Sequence, residues 1–292
     1  MYPSWILEEV KRSKAELRGS SASVTAGQLA AARLRTVCQD ALCPNKGRCF
    51  GEGEATFLIL GGVCTRRCRF CAVSRGKPAP PDPGEPERAG RLSAEWGLRY
   101  VVFTSPTRDD LPDGGAAHFA ATLREIRKAS GNRTVRTEPL IPDLGGDLKA
   151  LDVILEAAPD VLGHNVETVP SLYPSVRTGS DYRRSLELIR TAALRRPGTL
   201  VKSGLMLGLG ETEEEVERVL ADLLDHGCHI LTMGQYLAPS KAHLQASRYV
   251  RPEEFSAWQE KAERMGFRAA LCGPLVRSSY RAETLYRKAA GL

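Results

Sequence analysis

The chain has 292 residues, of which 42% are hydrophobic, and it carries a formal net charge of +6. This length permits a large buried core, and no apolar run reaches the roughly 18 residues that a membrane-spanning helix needs. The first residues lack the apolar region of about 7–15 residues that is typical of secretory signals, so we expect a cytoplasmic protein with no membrane contact. No basic run is interleaved with aromatic residues, which argues against nucleic-acid binding.

The first 35 residues are polar and include the run Ser20–Ser23. They predict an extension or wrapping segment that is partly mobile and has no core of its own. Six of the eight cysteines follow in two groups of three: Cys38, Cys43 and Cys49, then Cys64, Cys68 and Cys71.

A triplet of cysteines is informative because disulfide frameworks use cysteines in pairs and closed structural zinc sites usually take four ligands. Each triplet therefore leaves one coordination position open. The second triplet, with the spacing C-x3-C-x2-C, is suited to hold three corners of a cubane iron–sulfur cluster. For the first triplet alone, a zinc site completed by a distant histidine is an alternative.

After residue 55 the chain alternates short apolar runs with amphipathic stretches and glycine-rich turns. Continuous apolar runs in this rhythm predict parallel strands covered by helices. About six such units predict an α/β fold of the barrel or partial-barrel type. The runs are 56–60, 100–104, 135–140, 161–162, 200–207 and 230–233.

Local signals predict two of the helices and one loop. The segment Thr212–Glu215 forms a capping box, and its apolar face continues to Gly227. A similar amphipathic pattern runs from Asp181 to Leu194. Residues 74–86 contain five prolines, which predicts a stiff linking loop that is neither a helix nor an interior strand.

The catalytic residues of such barrels lie at the carboxyl-terminal ends of the strands. The second triplet directly follows the first apolar run, and polar pairs end later ones, among them Thr104-Ser105, His164-Asn165 and Gln235-Tyr236. We therefore expect these residues to meet at one site. His164 is either a residue of that site or a histidine satisfied within the core.

Three motifs carry a resemblance to a known family. The second triplet resembles the cluster motif of the radical S-adenosylmethionine (SAM) enzymes. The first triplet, with Pro44-Asn45 after its second cysteine, resembles the auxiliary-cluster motif of lipoyl synthases. Near the end of the chain, Arg277-Ser278-Ser279-Tyr280 is similar to the R-S-S-Y element of that family, and the likeness covers roughly residues 36–285.

The resemblance implies a partial (βα)6-type TIM barrel of the radical SAM kind with extensions at both ends. Residues 1–50 would form an N-terminal extension carrying the auxiliary-cluster cysteines. Residues 51–270 would form the radical SAM partial barrel, and residues 271–292 a C-terminal segment with the R-S-S-Y serine.

The resemblance also implies two [4Fe-4S] clusters and SAM as cofactors. Cys64, Cys68 and Cys71 would hold the cluster that binds and cleaves SAM. Cys38, Cys43, Cys49 and Ser279 would hold the auxiliary cluster, with Ser278 as the alternative fourth ligand. The candidates for contacting SAM are Thr104, Asn165, Glu167 and Arg183.

The implied activity is a radical SAM sulfurtransferase. Lipoyl synthases insert two sulfur atoms, at C6 and C8 of a protein-bound octanoyl group, and consume the auxiliary cluster and two equivalents of SAM. Because an alkoxide is a poorer ligand for this iron than a thiolate, we hypothesise that Ser279 is the labile ligand. The alternatives are another radical SAM sulfur-inserting enzyme with a different substrate, and a non-catalytic iron–sulfur electron carrier.

The implied partners are octanoylated lipoyl-carrier domains, on 2-oxoacid dehydrogenase acyltransferase subunits and on the glycine cleavage H protein. An electron donor such as flavodoxin or ferredoxin and an iron–sulfur carrier protein that rebuilds the cluster are also implied. Pro106-Thr107 and Pro139 depart from the family pattern beside the expected SAM pocket. Cys228 and Cys272 lie in apolar surroundings and are expected to be packed thiols without chemistry.

Overall fold

The computed structural model describes residues 3–16, 20–52 and 54–292. Its strands are β1 (Arg35–Thr36), β2 (Phe57–Leu58), β3 (Val63–Cys64), β4 (Ser74–Arg75), β5 (Tyr100–Thr104), β6 (Arg136–Leu140), β7 (Val161–Gly163), β8 (Leu200–Leu207), β9 (Ile230–Gln235) and β10 (Ala269–Gly273). Its helices are α1 (Ser4–Glu16), α2 (Ser20–Ala31), α3 (Val37–Asp40), α4 (Lys46–Gly51), α5 (Glu85–Glu95), α6 (Ala116–Ser130), α7 (Leu148–Glu156), α8 (Tyr173–Val176), α9 (Tyr182–Arg195), α10 (Glu213–Asp225), α11 (Pro252–Met265) and α12 (Ala282–Ala290).

The main sheet has eight strands in the order β1-β2-β5-β6-β7-β8-β9-β10. Every neighbouring pair is parallel except β1 with β2, which is antiparallel. Helices follow the parallel strands, so the sheet curves into a barrel that is left open between its two edges. The six predicted strand positions are confirmed, and β5 and β8 have the predicted bounds. The apolar runs did not predict β1, β10 or the small parallel sheet of β3 and β4.

The starts of the strands form a closed apolar layer that α12 covers. One buried cluster joins the first residues of β7, β8, β9 and β10 to side chains of α12, and Tyr100 at the start of β5 packs against it. The rings of Tyr100 and Tyr286 lie 5.6 Å apart, and the guanidinium of Arg136 lies over the Tyr286 ring. Helix α12 therefore plugs the amino-terminal end of the barrel, which leaves the carboxyl-terminal end for chemistry.

A buried ion pair lies inside the barrel above this layer. Lys202 Nζ of β8 is 2.7 Å from Glu138 Oε1 of β6, and both side chains are 1% exposed. Tyr100 donates a hydrogen bond of 2.5 Å to the other carboxylate oxygen. The two charges compensate each other where water is excluded, so the loss of one partner is costly.

Local capping confirms the predicted helices. Thr212 accepts from the backbone N–H of Glu215, and Glu215 accepts from that of Thr212, which completes the capping box of α10. Helix α9 begins after Asp181, whose carboxylate accepts from Arg184 N.

The prediction for residues 74–86 is wrong at both ends. Ser74–Arg75 pairs with the cysteine-bearing strand β3, and α5 begins at Glu85 with Pro86 in its first turn. Proline is tolerated there because the N–H groups of a first turn lack helical partners. The intervening residues form the expected loop.

The N-terminal segment folds as two helices on the main body. Ile6 of α1 and Leu29 of α2 are buried, and Leu29 joins the core that the barrel strands and outer helices form. This arrangement agrees with a wrapping segment that has no core of its own. The predicted mobility remains a prediction, and residues 1, 2 and 17–19 lie outside the described residues.

We expect Lys202→Met to lower the free energy of unfolding by about 3–5 kcal/mol, because it leaves the Glu138 carboxylate buried without its cation. Lys202→Met combined with Glu138→Gln is expected to cost less than the single change. The measurement is urea unfolding of both variants. Lys288→Met, which breaks the half-exposed pair of Lys288 with Glu263, is the control and should cost about 1 kcal/mol or less. A double variant no more stable than Lys202→Met would contradict the account.

Candidate active site

A cavity of about 750 Å³ opens at the carboxyl-terminal end of the barrel. Both cysteine triplets contribute to its wall, together with strand ends and the R-S-S-Y segment. The predicted site residues that line it are Cys38, Cys43, Cys64, Cys68, Cys71, Thr104, Asn165, Glu167 and Ser279. The fold thus brings together residues that lie more than two hundred positions apart in the sequence.

The first triplet is fixed to the edge of the barrel by β1. This strand pairs with β2, and Val37 N then donates to Thr56 O. Thr36 caps the short helix α3 by accepting from Gln39 N at 3.3 Å. Cys38 is therefore held directly beside β2, and Cys43 N donates back to Cys38 O.

Cys49 lies on α4, behind the other two cysteines of its triplet. Burial raises the pKa of the Cys49 thiol, and electrostatic interaction with Cys38 and Cys43 raises it further. Burial also raises the pKa of Cys38 to about 11. The three sulfur atoms therefore lie close enough to interact, and binding a metal cluster would release their protons.

The R-S-S-Y segment is tied to this triplet by two long-range hydrogen bonds. Asn45 is 2% exposed, and its Nδ2 donates to Leu275 O at 2.6 Å. Arg48 Nη1 donates a hydrogen bond to Tyr280 Oη at 3.4 Å. These bonds hold Ser279 beside the segment that carries Cys43 and Cys49, although it comes from the opposite end of the barrel sequence.

The loop of the second triplet begins at a turn that two charged side chains hold in place. Leu60, at the end of β2, has a φ of +64°, a conformation that costs a non-glycine residue energy. Its N–H donates to Glu85 Oε2 at 2.7 Å, and its carbonyl accepts from Arg108 Nη1 at 2.9 Å. His118 contacts the same Glu85 oxygen. Two buried side chains of opposite charge thus hold the turn from which the cysteine loop starts.

Arg66, between Cys64 and Cys68, connects the same loop to the loops that follow β5 and β6. It donates to both oxygens of Asp109 in the loop after β5, at 2.9 and 2.8 Å. It also pairs with Asp143 in the loop after β6 at 2.7 Å. Burial of the Asp143 carboxylate acts to raise its pKa, but the hydrogen bonds and charge of Arg66 outweigh burial and hold the pKa down to about 2.

The second triplet also consists of buried thiols. Burial raises the pKa of Cys71 to about 12 and raises that of Cys68, while the neighbouring Arg177 partly opposes the shift at Cys68. Cys64 Sγ accepts a hydrogen bond from Arg66 N at 3.4 Å. Three soft donors on one loop of fixed shape match the donor set of a cubane cluster with one open iron.

The wall opposite the second triplet fits a small polar cofactor. A Cβ atom on Gly204 would lie 2.8 Å from Asn165 Oδ1, and one on Gly234 would lie 2.1 Å from Val276 O, so glycine at both positions lets neighbouring groups of the wall pack closely. Asn165 Oδ1 and Ser105 Oγ are buried without hydrogen-bond partners within the described chain. Such atoms are suited to bind the polar groups of a ligand that enters the cavity.

Glu167 and Arg177 form the charged part of this wall. Glu167 has a φ of +66°, and it is held by backbone hydrogen bonds to Gly204 and Met206. Burial raises the pKa of Glu167, which Arg177 and the hydrogen bond from Asn165 partly oppose. Asn165 Nδ2 also donates to Ser278 Oγ at 2.6 Å, so the R-S-S-Y segment reaches this wall as well.

Arg183 lies outside this cavity. It lines a shallow pocket of about 380 Å³ beside it, and Ser180 borders both. The nearby cation that lines the main cavity is Arg177, which is 8% exposed and donates to Tyr173 Oη. Arg177 has no clear signal in the sequence, because it follows a four-residue helix, α8, without an apolar pattern.

Three further residues of the sequence analysis are packed rather than exposed to the cavity. His164 is 1% exposed, donates from Nδ1 to Ile141 O, and has a pKa lowered to about 4 by burial and by Arg177. It is therefore neutral and lies within the core, but its buried Nε2 has no hydrogen-bond partner among the described residues, so it is not fully satisfied there. Cys228 is buried and Cys272 half-buried in the apolar core, as expected.

Within residues 3–16, 20–52 and 54–292, no three His, Cys, Asp or Glu side chains converge on one point as ligands of a single metal ion. A cubane cluster is wider than an ion and spreads its cysteine ligands around it.

Comparison with known proteins identifies the family. Residues 58–223 match the model of the radical SAM superfamily. Over 288 residues the chain is 51% identical to the lipoyl synthase of Methylococcus capsulatus, which covers 96% of this chain and 85% of the relative. The lipoyl synthase of Citrifermentans bemidjiense is 51% identical over 282 residues, 96% of this chain and 93% of the relative. The chain belongs to the lipoyl synthase family.

Solved structures agree on the fold. HydG, a maturase of the [FeFe]-hydrogenase, superposes with a TM-score of 0.57 at 14% identity over 97% of this chain. Streptococcus suis SuiB bound to S-adenosylmethionine gives 0.54 at 10% identity over 71% of this chain. The chain spans 65% and 46% of those proteins, respectively.

The predicted family, the radical SAM partial barrel and the sulfurtransferase activity are confirmed. Membership of the lipoyl synthase family implies SAM and an iron–sulfur cluster as cofactors. No helix in the described part of the chain is long and apolar enough to cross a bilayer. The cytoplasmic location remains a prediction.

We expect Asp143→Asn to reduce stability at pH 5 by on the order of 2 kcal/mol, because the native carboxylate is paired with Arg66. The native pKa is depressed, so this stabilisation is present above the ordinary pKa of 3.8 and is lost as the pH falls towards about 2. Urea unfolding of the cluster-free protein at pH 5 and pH 3 measures the change. Asp152→Asn, at a half-exposed pair with Arg195, is the control. An equal loss at both pH values for Asp143→Asn would contradict this assignment.

Proposed function

We propose that this enzyme inserts two sulfur atoms, at C6 and C8 of an octanoyl group bound to a lysine of a carrier protein, to give the lipoyl cofactor. The observation that carries the proposal is that Cys38, Cys43, the whole second triplet and Ser279 line one cavity, with Cys49 close to the first two cysteines. An electron carrier would need neither an open coordination position nor a cavity for a substrate beside it.

The residues fit two [4Fe-4S] clusters. Cys64, Cys68 and Cys71 would hold the one that binds SAM, and Cys38, Cys43, Cys49 and Ser279 the auxiliary one. When bound, the first cluster supplies the electron that cleaves SAM to a radical that abstracts hydrogen from the acyl chain, and the auxiliary cluster supplies the sulfur. The protein's own part is to orient these groups in one cavity and to exclude water from it.

The hydrogen bonds favour Ser279 over Ser278 as the fourth ligand of the auxiliary cluster. Ser278 Oγ accepts from Asn165, on the side of the cavity that faces the second triplet. The Ser279 hydroxyl makes no hydrogen bond to any residue that the structure describes, and its neighbour Tyr280 contacts Arg48 next to Cys49. Ser279 is therefore available as a ligand on the auxiliary side.

SAM would be held by the wall of strand ends. Gly204 lines this wall, and Thr104, Asn165 and Glu167 present polar groups there. Arg177 takes the place that the sequence analysis gave to Arg183, because it lies in this cavity beside Glu167 and Cys68. A buried guanidinium is suited to pair with the carboxylate of SAM.

The octanoyl chain would lie along the apolar part of the cavity wall. Phe70 comes from the loop of the second triplet, Met206 and Leu237 from the ends of β8 and β9, and Leu42 from the first triplet. Burial of the acyl chain against these side chains supplies binding energy in proportion to the apolar area removed from water. The chain would thus be directed between the two cluster sites.

The proposed substrates are octanoylated lipoyl-carrier domains of 2-oxoacid dehydrogenase acyltransferase subunits and of the glycine cleavage H protein. The proposed electron donor is a flavodoxin or ferredoxin, and an iron–sulfur carrier protein would rebuild the auxiliary cluster. These assignments follow from the family, and the cavity is open to solvent at the mouth where a tethered acyl chain would enter.

The function is tested by anaerobic turnover of an octanoyl-lysine peptide with SAM and a reductant. We expect mass analysis to show a gain of two sulfur atoms on the octanoyl group. Reconstituted protein should contain iron and sulfide equivalent to two cubane clusters. Cleavage of SAM without transfer of sulfur would instead indicate another substrate.

We expect Ser279→Cys to retain the full iron content and to form about 10–100-fold less product, because a thiolate releases iron less readily than an alkoxide. Iron analysis and single-turnover product formation measure the two effects. Ser278→Cys is the matched control, and it should leave the auxiliary cluster and its sulfur transfer intact. Unchanged sulfur insertion by Ser279→Cys would remove this role from Ser279.

A further inference from the structure

One segment at the cavity carries several cations and no acidic residue. Residues 55–81 contain no Asp or Glu, and the chain as a whole has a net charge of +6. The same segment contains five cations, namely Arg66, Arg67, Arg69, Arg75 and Lys77. This segment includes the loop of the second triplet, so the positive charge surrounds the entrance to the site.

The cations of this loop divide into an inner and an outer group. Arg66 is the inner one, 8% exposed and paired with Asp109 and Asp143. Arg67, Arg69, Arg75 and Lys77 are exposed and form no ion pair with any residue that the structure describes. Arg75 lines the cavity and donates to Cys68 O, which places its guanidinium beside the loop of the second triplet.

A second loop adds to the outer group. Residues 237–239, directly after β9, line the cavity, and the same loop continues to Leu244, whose N–H donates to Arg69 O at 3.2 Å. Lys241 lies on this loop, exposed and without an ion pair in the described chain. We call Arg67, Arg69, Arg75 and Lys241 the basic rim.

The basic rim lies where the folded part of a carrier protein would contact the enzyme. The octanoyl group and its lysine form one flexible arm, so the folded carrier stays outside the cavity when the arm enters it. Exposed charges act over about 8–10 Å at physiological salt, so the rim selects the face of the carrier that surrounds the acylated lysine. Cations without partners on this chain favour an acidic face there.

We propose that the basic rim docks an acidic face of the carrier domain that surrounds its octanoyl-lysine. The proposal rests on the proposed function for the nature of the substrate, and it adds the surface that recognises the protein part. The rim accelerates encounter and orients the carrier, whereas the apolar cavity wall binds the acyl chain.

The test measures the Kd of a fluorescently labelled, octanoylated lipoyl domain of an acyltransferase subunit for the reconstituted enzyme. We expect Lys241→Ala and Lys241→Glu each to raise the Kd about three- to tenfold, and an increase from 50 to 300 mM salt to raise it about tenfold. Arg287→Glu makes the same charge change on α12, at the opposite end of the barrel, and should leave the Kd unchanged. Turnover of a neutral octanoyl-lysine peptide should be equal in all four proteins.

The two proposals fail in different measurements. If the wild-type enzyme transfers no sulfur to the peptide, the proposed function is overturned. The Kd values would still show whether the basic rim docks the carrier domain. An unchanged Kd in both rim variants, or an equal rise with Arg287→Glu, would overturn the docking surface. It is also overturned if the rim variants lose peptide turnover to the same degree, or if a nucleic-acid duplex binds more tightly than the carrier domain.

Discussion

The antiparallel pairing of β1 with β2 is the constraint on which the site depends. Arg35 lies opposite Leu58 and Thr36 opposite Phe57, and the first triplet starts directly after this pair. The second triplet starts from the carboxyl end of the same β2. A slip of one residue would exchange the faces of β1 and move one triplet relative to the other. Arg35 reinforces the register, because its guanidinium lies against Gly62 and pairs with Asp40.

The two ends of the barrel are stabilised in different ways. At the closed end, α12 and the strand starts bury apolar side chains in a continuous layer. At the open end, the backbone is held by charged side chains, since Glu85 and Arg108 fix Leu60 and Arg66 joins three loops. Polar anchoring leaves the wall of the cavity free of large apolar side chains where Gly204 and Gly234 lie. Stabilisation by apolar packing is therefore concentrated at the end of the barrel opposite the cavity.

Much of this structure is predictable from local patterns. The strands at 100–104 and 200–207 are continuous apolar runs, and Thr212 carries its own capping signal. The strand β1 has only two residues and no period, and β10 consists mainly of alanine, cysteine and glycine, so neither is visible as an apolar run. Arg177 and Arg183 are both cations near the start of α9, and only tertiary packing decides which one turns towards the cavity.

The path of the R-S-S-Y segment has a consequence for biosynthesis. Ser279 follows β10, the last strand of the sheet, and lies near the first triplet, where Asn45 donates to Leu275 O and Arg48 donates to Tyr280 Oη. Cys38, Cys43 and Cys49 emerge from the ribosome long before that serine is translated. During translation the early triplet has no access to its proposed fourth ligand, so a cluster delivered then would be incompletely bound. In the proposed enzyme, complete ligation of the auxiliary cluster would therefore require that the barrel has closed first.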